Sequence, residues 1–250
     1  MTLRFSTAAD ESLANGIKAL VYGSSGVGKT VLTATLPAPV LISAEAGALS
    51  LREANLRRLF GDDTSICYNV PIITVQTLQD LRDAYAWCVQ SLEMKNFQSI
   101  ALDSISEIGE VVLNNAKGTS KDGRAAYMEL IDVMEPLIRG FRDIQGKNVF
   151  VSAKMEPMKD ELTGIVKYGP SMPGARLGPK LPYFFDEVFR LGIGKDQQGK
   201  EFRFLQTQPD LQYEAKDRSG SLSSTEPPHL HYIFSKIMTI PQLTLQPAAE

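Results

Sequence analysis

Ile17-Lys18-Ala19-Leu20-Val21-Tyr22-Gly23-Ser24-Ser25-Gly26-Val27-Gly28-Lys29-Thr30 decides how this chain is read. Residues 17–22 are a short apolar run ending on glycine, the mark of a buried parallel strand. Residues 29–36 read as a helix stopped by Pro37 and Pro39. Between them lies the spacing G-x-x-x-x-G-K-T, in the strand-to-helix context that a P-loop requires. Glycines at Gly23, Gly26 and Gly28, with Ser24, Ser25 and Val27 between them, let backbone N–H groups close around phosphates. The helix N-terminus adds a favourable dipole. Lys29 is expected to reach the β- and γ-phosphates and Thr30 to ligate Mg²⁺. A glycine-rich turn carrying a stray lysine is the plain alternative.

Working outward, residues 40–43 read as a second buried strand. Helical spacing follows through Leu49, Leu51, Leu56 and Leu59. Residues 72–75 are strand-like, and 77–94 form an amphipathic helix pattern. Residues 99–102 are the next buried strand, leading into Asp103 and a helix over 105–116. A polar loop is expected at 117–124, then a long helix near 125–145 and a strand at 149–153. Beyond this the pattern changes. Residues 154–182 are rich in glycine and proline without helical period, and 186–217 read as successive strands with a turn near 195–200. A short helix near 229–238 precedes a loose tail. The expectation is a mainly parallel sheet flanked by helices, extended by antiparallel strands toward the C-terminus. It divides into an arm (1–16), one α/β domain (17–240) and a tail (241–250).

A length of 250 residues suffices for one large α/β domain with a fully buried sheet. The net charge of −3 means that any nucleic-acid contact must come from a local basic surface. Cys67 and Cys88, the only cysteines, have no metal or redox spacing, as suits a reducing compartment. Neither a signal-peptide pattern nor a membrane-length apolar run is present. A soluble, cytoplasmic protein without membrane partners is expected.

Asp103 ends the 99–102 strand, expected to lie beside the P-loop strand, where its carboxylate can hold a water on Mg²⁺. It could equally cap the following helix. Ser104 follows instead of glutamate, so no adjoining carboxylate can polarise an attacking water. Glu45, just past the second strand, is the best candidate base; the alternative is an acid favoured by a helix first turn.

The P-loop, the LISAEAGAL stretch (41–49) and IALDSISEI (100–108) resemble the RecA-type P-loop NTPase core. More narrowly, the chain resembles phage-encoded RecA-like AAA-family ATPases grouped with single-strand annealing recombinases, over roughly residues 17–220. The resemblance implies ATP as nucleotide with Mg²⁺, Glu45 as catalytic glutamate and Asp103 at the metal. In a phage it implies a host-cytoplasmic protein. It also implies single-stranded DNA as partner, self-association into a filament or ring, and a single-stranded-DNA-binding protein as a further partner. Lys154 departs from the family, which usually has a polar switch residue there.

Lys216 and Arg218 resemble the paired cations with which RecA-like proteins reach a neighbour's γ-phosphate; an ordinary solvated turn is the alternative. Residues 162–185 carry Lys167, Arg176 and Lys180 among aromatic residues, with no acid. That composition suits single-stranded DNA through phosphate attraction and base stacking. Lys117, Lys121 and Arg124 mark a shorter candidate loop. Either could instead be a mobile surface loop. Phe5 and Ala8 match a Phe-x-x-Ala oligomerisation element. His229 and His231 fit a helix start better than a metal site. Rival functions are a helicase-like or packaging DNA motor, a small-molecule kinase and a regulatory ATPase acting through protein partners.

Overall fold

The computed structural model describes residues 15–45, 48–119, 122–159, 164–174 and 176–239. The apolar run around the P-loop forms β1 (Lys18–Gly23), every residue of which is buried. Its side chains alternate between two cores: Leu20 and Tyr22 face one, Ala19 and Val21 the other. This is the period of two that a strand covered on both faces demands. The P-loop leads into α1 (Lys29–Thr33) and then β2 (Pro39–Ser43), where Val40 and Ile42 join the first core and Leu41 the second. A 3-10 turn (Ala48–Leu51), α2 (Glu53–Phe60) and β3 (Ile72–Thr74) follow.

The amphipathic pattern at 77–94 becomes α3 (Leu78–Gln90) and a 3-10 turn (Leu92–Asn96). Thr77 and Asp80 cap α3 reciprocally, a device of about 1 kcal/mol. Next come β4 (Ser99–Asp103), α4 (Ile105–Thr119), α5 (Gly123–Arg142), β5 (Asn148–Lys159) and β6 (Val166–Ser171). After a 3-10 turn (Gly178–Lys180), the chain finishes with α6 (Leu181–Phe184), β7 (Glu187–Lys195), β8 (Glu201–Gln206), β9 (Lys216–Asp217), β10 (Thr225–Glu226) and α7 (Leu230–Met238).

Among the described residues these strands make one sheet in the order β10-β8-β7-β1-β5-β4-β2-β3, with β6 on β5 and β9 on β7. The pairs from β7 through β3 are parallel; β8, β10, β6 and β9 pair antiparallel. This is a mainly parallel sheet covered on both faces, with antiparallel strands toward the C-terminus.

Three expectations change. β5 separates β4 from β1, so Asp103 is not on the strand beside the P-loop. The crossover through α4 and α5 inserts β5 there, and both neighbours gain the buried stretch Val149–Ala153 as a partner. The polar loop at 117–124 shrinks, because α4 continues to Thr119 and α5 starts at Gly123 with Asp122 as N-cap. Helical hydrogen bonding, seeded by buried Ile105, Ile108, Val112 and Ala116, carries on through the polar end. Finally, much of 154–182 is a β-hairpin, not an irregular segment, with Lys154 opposite Ser171 and Lys159 opposite Val166. Pro157 and Pro170, residues that weaken a strand pattern, are tolerated because the hairpin lies off the main sheet.

Candidate nucleotide site

A cleft of about 830 Å³ opens where β1 gives way to α1, bordered by the P-loop, Glu45, Asp103, Lys154 and Arg203. Gly28 adopts φ +107°, a conformation that a side chain would strain, and a Cβ on Gly23 would stand 2.7 Å from the Leu191 carbonyl oxygen. These two glycines are therefore required by geometry. Lys29 Nζ donates to the carbonyl oxygens of Gly23 (2.8 Å) and Ser24 (2.9 Å). Burial pushes its pKa down, while the carboxylates of Asp103 and Glu45 pull the other way. The lysine is thus a desolvated cation whose full compensation would be a phosphate.

Asp103 is only 2% exposed. The Ser152 hydroxyl, on the intervening strand β5, donates to its Oδ1. Its Oδ2 is buried and has no hydrogen-bond partner among the described residues. Such an orphaned acceptor is costly unless something binds it. With Thr30 bordering the same cleft, this set of oxygen-bearing residues fits Mg²⁺.

Glu45 is fixed at two points. Its backbone N–H donates to Ser43 Oγ (3.1 Å), and its Oε1 accepts from the Ser104 hydroxyl (2.9 Å). The serine that replaces an adjoining carboxylate therefore holds the candidate base. Lys154, in register with Gly23, forms an ion pair with Glu107 in the first turn of α4, which pushes its pKa up. Its backbone N–H donates to Ser106 Oγ (2.9 Å), which donates to the Ser171 carbonyl (2.7 Å) on β6. The first turns of α4 thus touch the candidate base and the root of the hairpin.

The far end of the cleft is bordered by Asn55, Arg58, Leu59 and Phe60 of α2 and by Pro228. Pro228 is positioned because α7 docks on the turn that follows α1: Leu230 N–H donates to Thr35 Oγ1 (2.9 Å) and His231 N–H to the Thr35 carbonyl (2.8 Å). His229 stacks on Tyr232 with ring centroids 4.1 Å apart. Among the described residues no cluster of three or more potential ligands suits a metal by itself.

The remaining candidates lie elsewhere. Lys216 and Asp217 pair with Val188 and Glu187, which pair with Leu20 and Ala19 of β1. Asp217 is therefore four residues, about 13 Å, down the strands from Gly23. Lys216 Nζ donates to the carbonyls of Pro182 and Phe185, and Arg218 pairs with Asp186 at 2.7 Å. Lys167 pairs with Glu214 (3.3 Å) beside a second cleft, and Lys180 with Glu135 (3.2 Å). Phe184 and Phe185 are buried. Lys117 lies over the Tyr127 ring (5.6 Å), Arg176 contacts Met128 Sδ (3.8 Å), and Arg124 begins α5 beside them. The two candidate DNA segments thus meet around Tyr127 and Met128, which are 40% and 48% exposed. Lys121, Phe5 and Ala8 lie outside the described residues.

Sequence reasoning missed Arg203, Ser152 and the α2–Pro228 wall. Arg203 sits in an alternating strand, Glu201–Gln206, where an outward charge carries no signal of its own. Among the described residues no helix is long and apolar enough to cross a membrane. No curated protein matches the chain in sequence. A KaiC-like protein, PH0186 of the hyperthermophilic archaeon Pyrococcus horikoshii OT3, aligns with 78% of this chain and 82% of its own at 15% identity, with a TM-score of 0.41. The profile of the AAA domain family AAA_24 matches residues 15–219, from before the P-loop through Arg218. The chain belongs to that family and is a P-loop ATPase.

Proposed function

We propose that this ATPase hydrolyses Mg-ATP while bound to single-stranded DNA, as a self-assembled filament or ring serving recombination or strand annealing. What carries the hydrolytic part is the pairing of an anchored Glu45 with the orphaned Asp103 carboxylate across the P-loop cleft. Thr30 and Asp103 would hold Mg²⁺, which when bound supplies charge neutralisation on the phosphates. Glu45 takes a proton from a water whose oxygen bonds to the γ-phosphorus. The bond to the bridging oxygen breaks, and ADP leaves with that electron pair. Lys29 gives up its P-loop carbonyls for the β- and γ-phosphates, and Lys154 is close enough to the cleft to feel the γ-phosphate.

The DNA part is supported by Lys117, Arg124 and Arg176 gathered around exposed Tyr127 and Met128, cations and a stacking ring on one surface. α4 runs from Glu107, paired with the cleft residue Lys154, to Lys117 at this surface, and Ser104 just before it holds Glu45, so one helix links both. The test is fluorescence anisotropy of a labelled oligo(dT), with sedimentation of the same samples. Tighter binding and larger assemblies are expected with a non-hydrolysable ATP analogue than with ADP. No binding at all would overturn the DNA reading and leave the ATPase intact, and binding that ignores the nucleotide would overturn its coupling to ATP.

A further inference from the structure

Arg203 lies on β8, opposite Ile193 of β7, and reaches over the P-loop from its own subunit. Its Nε donates to the Val27 carbonyl oxygen at 2.7 Å. The side chain also lies against Gly28, where a Cβ would stand 3.5 Å from Nε and 3.8 Å from Cδ, ordinary contact distances. Most other well-placed arginines are already engaged. Arg57, Arg139, Arg142 and Arg218 are ion-paired, and Arg190 stacks on Tyr213 with its carbon 3.6 Å from the ring centroid. Arg203 and Arg58 both border the nucleotide cleft without a carboxylate partner among the described residues, but Arg58 is tied to Asn55 Oδ1 (2.9 Å) on its own helix whereas Arg203 is tied to the P-loop itself. A guanidinium held by one N–H keeps its other donors in a fixed fork, the geometry that suits phosphate oxygens.

We infer that Arg203 is a nucleotide-binding residue acting in cis. It braces the P-loop through Val27 and presents its remaining N–H groups to the phosphates that ADP and ATP share. The γ-phosphate side belongs to Glu45 and Lys154, which border the cleft on the other flank of Lys29. Arg203 therefore recognises a nucleoside 5′-diphosphate as such, and does not discriminate between diphosphate and triphosphate. The inference rests on nucleotide binding at this P-loop.

Two substitutions separate the charge from the brace. In Arg203→Gln the amide can still donate to the Val27 carbonyl, but the charge is gone; Arg203→Ala loses both. Binding of a fluorescent ADP and of a non-hydrolysable fluorescent ATP is measured at several salt concentrations, with urea unfolding of each variant. Both substitutions should weaken both nucleotides by about tenfold and by the same factor. Both should also flatten the salt dependence, while Arg203→Gln keeps the unfolding midpoint of the parent. If Arg203→Gln binds ADP as the parent does, the residue is only a brace. Selective loss of the triphosphate would also overturn the inference, by moving Arg203 to the γ-phosphate. A parent protein that binds neither nucleotide would instead remove the P-loop reading, and this one with it.

Discussion

Glu45 has a carboxylate held by Ser104 and a backbone held by Ser43, so its position does not depend on a flexible side chain alone. Glu45→Gln keeps both contacts within reach and removes the basicity. ATP binding should stay near that of the parent, and turnover should fall by roughly 100-fold or more. Single-turnover hydrolysis checks this, and near-parent turnover would place the base elsewhere. A second residue reports on the fold. Glu187 is 2% exposed, and burial, then the nearby Asp217 charge, pushes its pKa from 4.5 up to about 8. Asp217 moves the opposite way: burial opposes its ionisation, but hydrogen bonds from Ser219, Leu222 and Gly220 hold it low. Between about pH 4.5 and 8 the folded protein therefore keeps a proton that the unfolded chain has released. Stability falls as pH rises through that window. Glu187→Gln, which mimics the protonated acid, should flatten the fall, as read from thermal melts across the window. Parallel pH profiles for variant and parent would mean that Glu187 is charged in the fold.

Elements with one dominant period were legible, and those between periods were not. β1, β2 and β4 read directly from their apolar runs because both faces are covered. The β5–β6 hairpin did not, since beyond Ala153 β5 mixes half-buried and exposed positions, β6 runs from exposed to buried without a period, and both carry prolines. The P-loop, Asp103 and Glu45 could be found because each sits at the end of a legible strand. Arg203 could not, because only tertiary packing brings β8 over the P-loop. The hairpin and the 3-10 turn after it also change what their cations can do. Lys167 and Lys180 already face Glu214 and Glu135, whereas Lys117, Arg124 and Arg176 gather around Tyr127 and Met128. Neutralising the latter three together should weaken oligo(dT) binding and flatten the slope of log K against log salt by about two units, at about 0.7 per phosphate. Neutralising Lys167 and Lys180 should change that slope by less than about one unit. The reverse ranking would put DNA on the hairpin instead.

At the scale of the whole molecule, Arg218 follows the end of β9, farther from Gly23 than Asp217 and on the side away from its own cleft. Its ion pair with Asp186 is exposed, and such pairs are weak enough to be exchanged for a phosphate. In the proposed assembly it would serve a neighbour's cleft, where a cation supplied in trans raises phosphoryl transfer by about 10³ to 10⁵. Arg218→Ala should bind ATP yet lose most turnover, and mixing it with Glu45→Gln should restore part of it. A subunit with intact Glu45 then receives Arg218 from its neighbour. An inactive mixture that demonstrably co-assembles would leave Arg218 a fold contact only. The most direct measurement is steady-state ATP turnover by the full chain, with and without oligo(dT), at concentrations that support assembly. The predicted result is Mg²⁺-dependent hydrolysis that rises on adding the oligonucleotide and is lost in Glu45→Gln. Turnover that persists undiminished in Glu45→Gln, or that is absent from the parent with Mg²⁺ and DNA present, would contradict it.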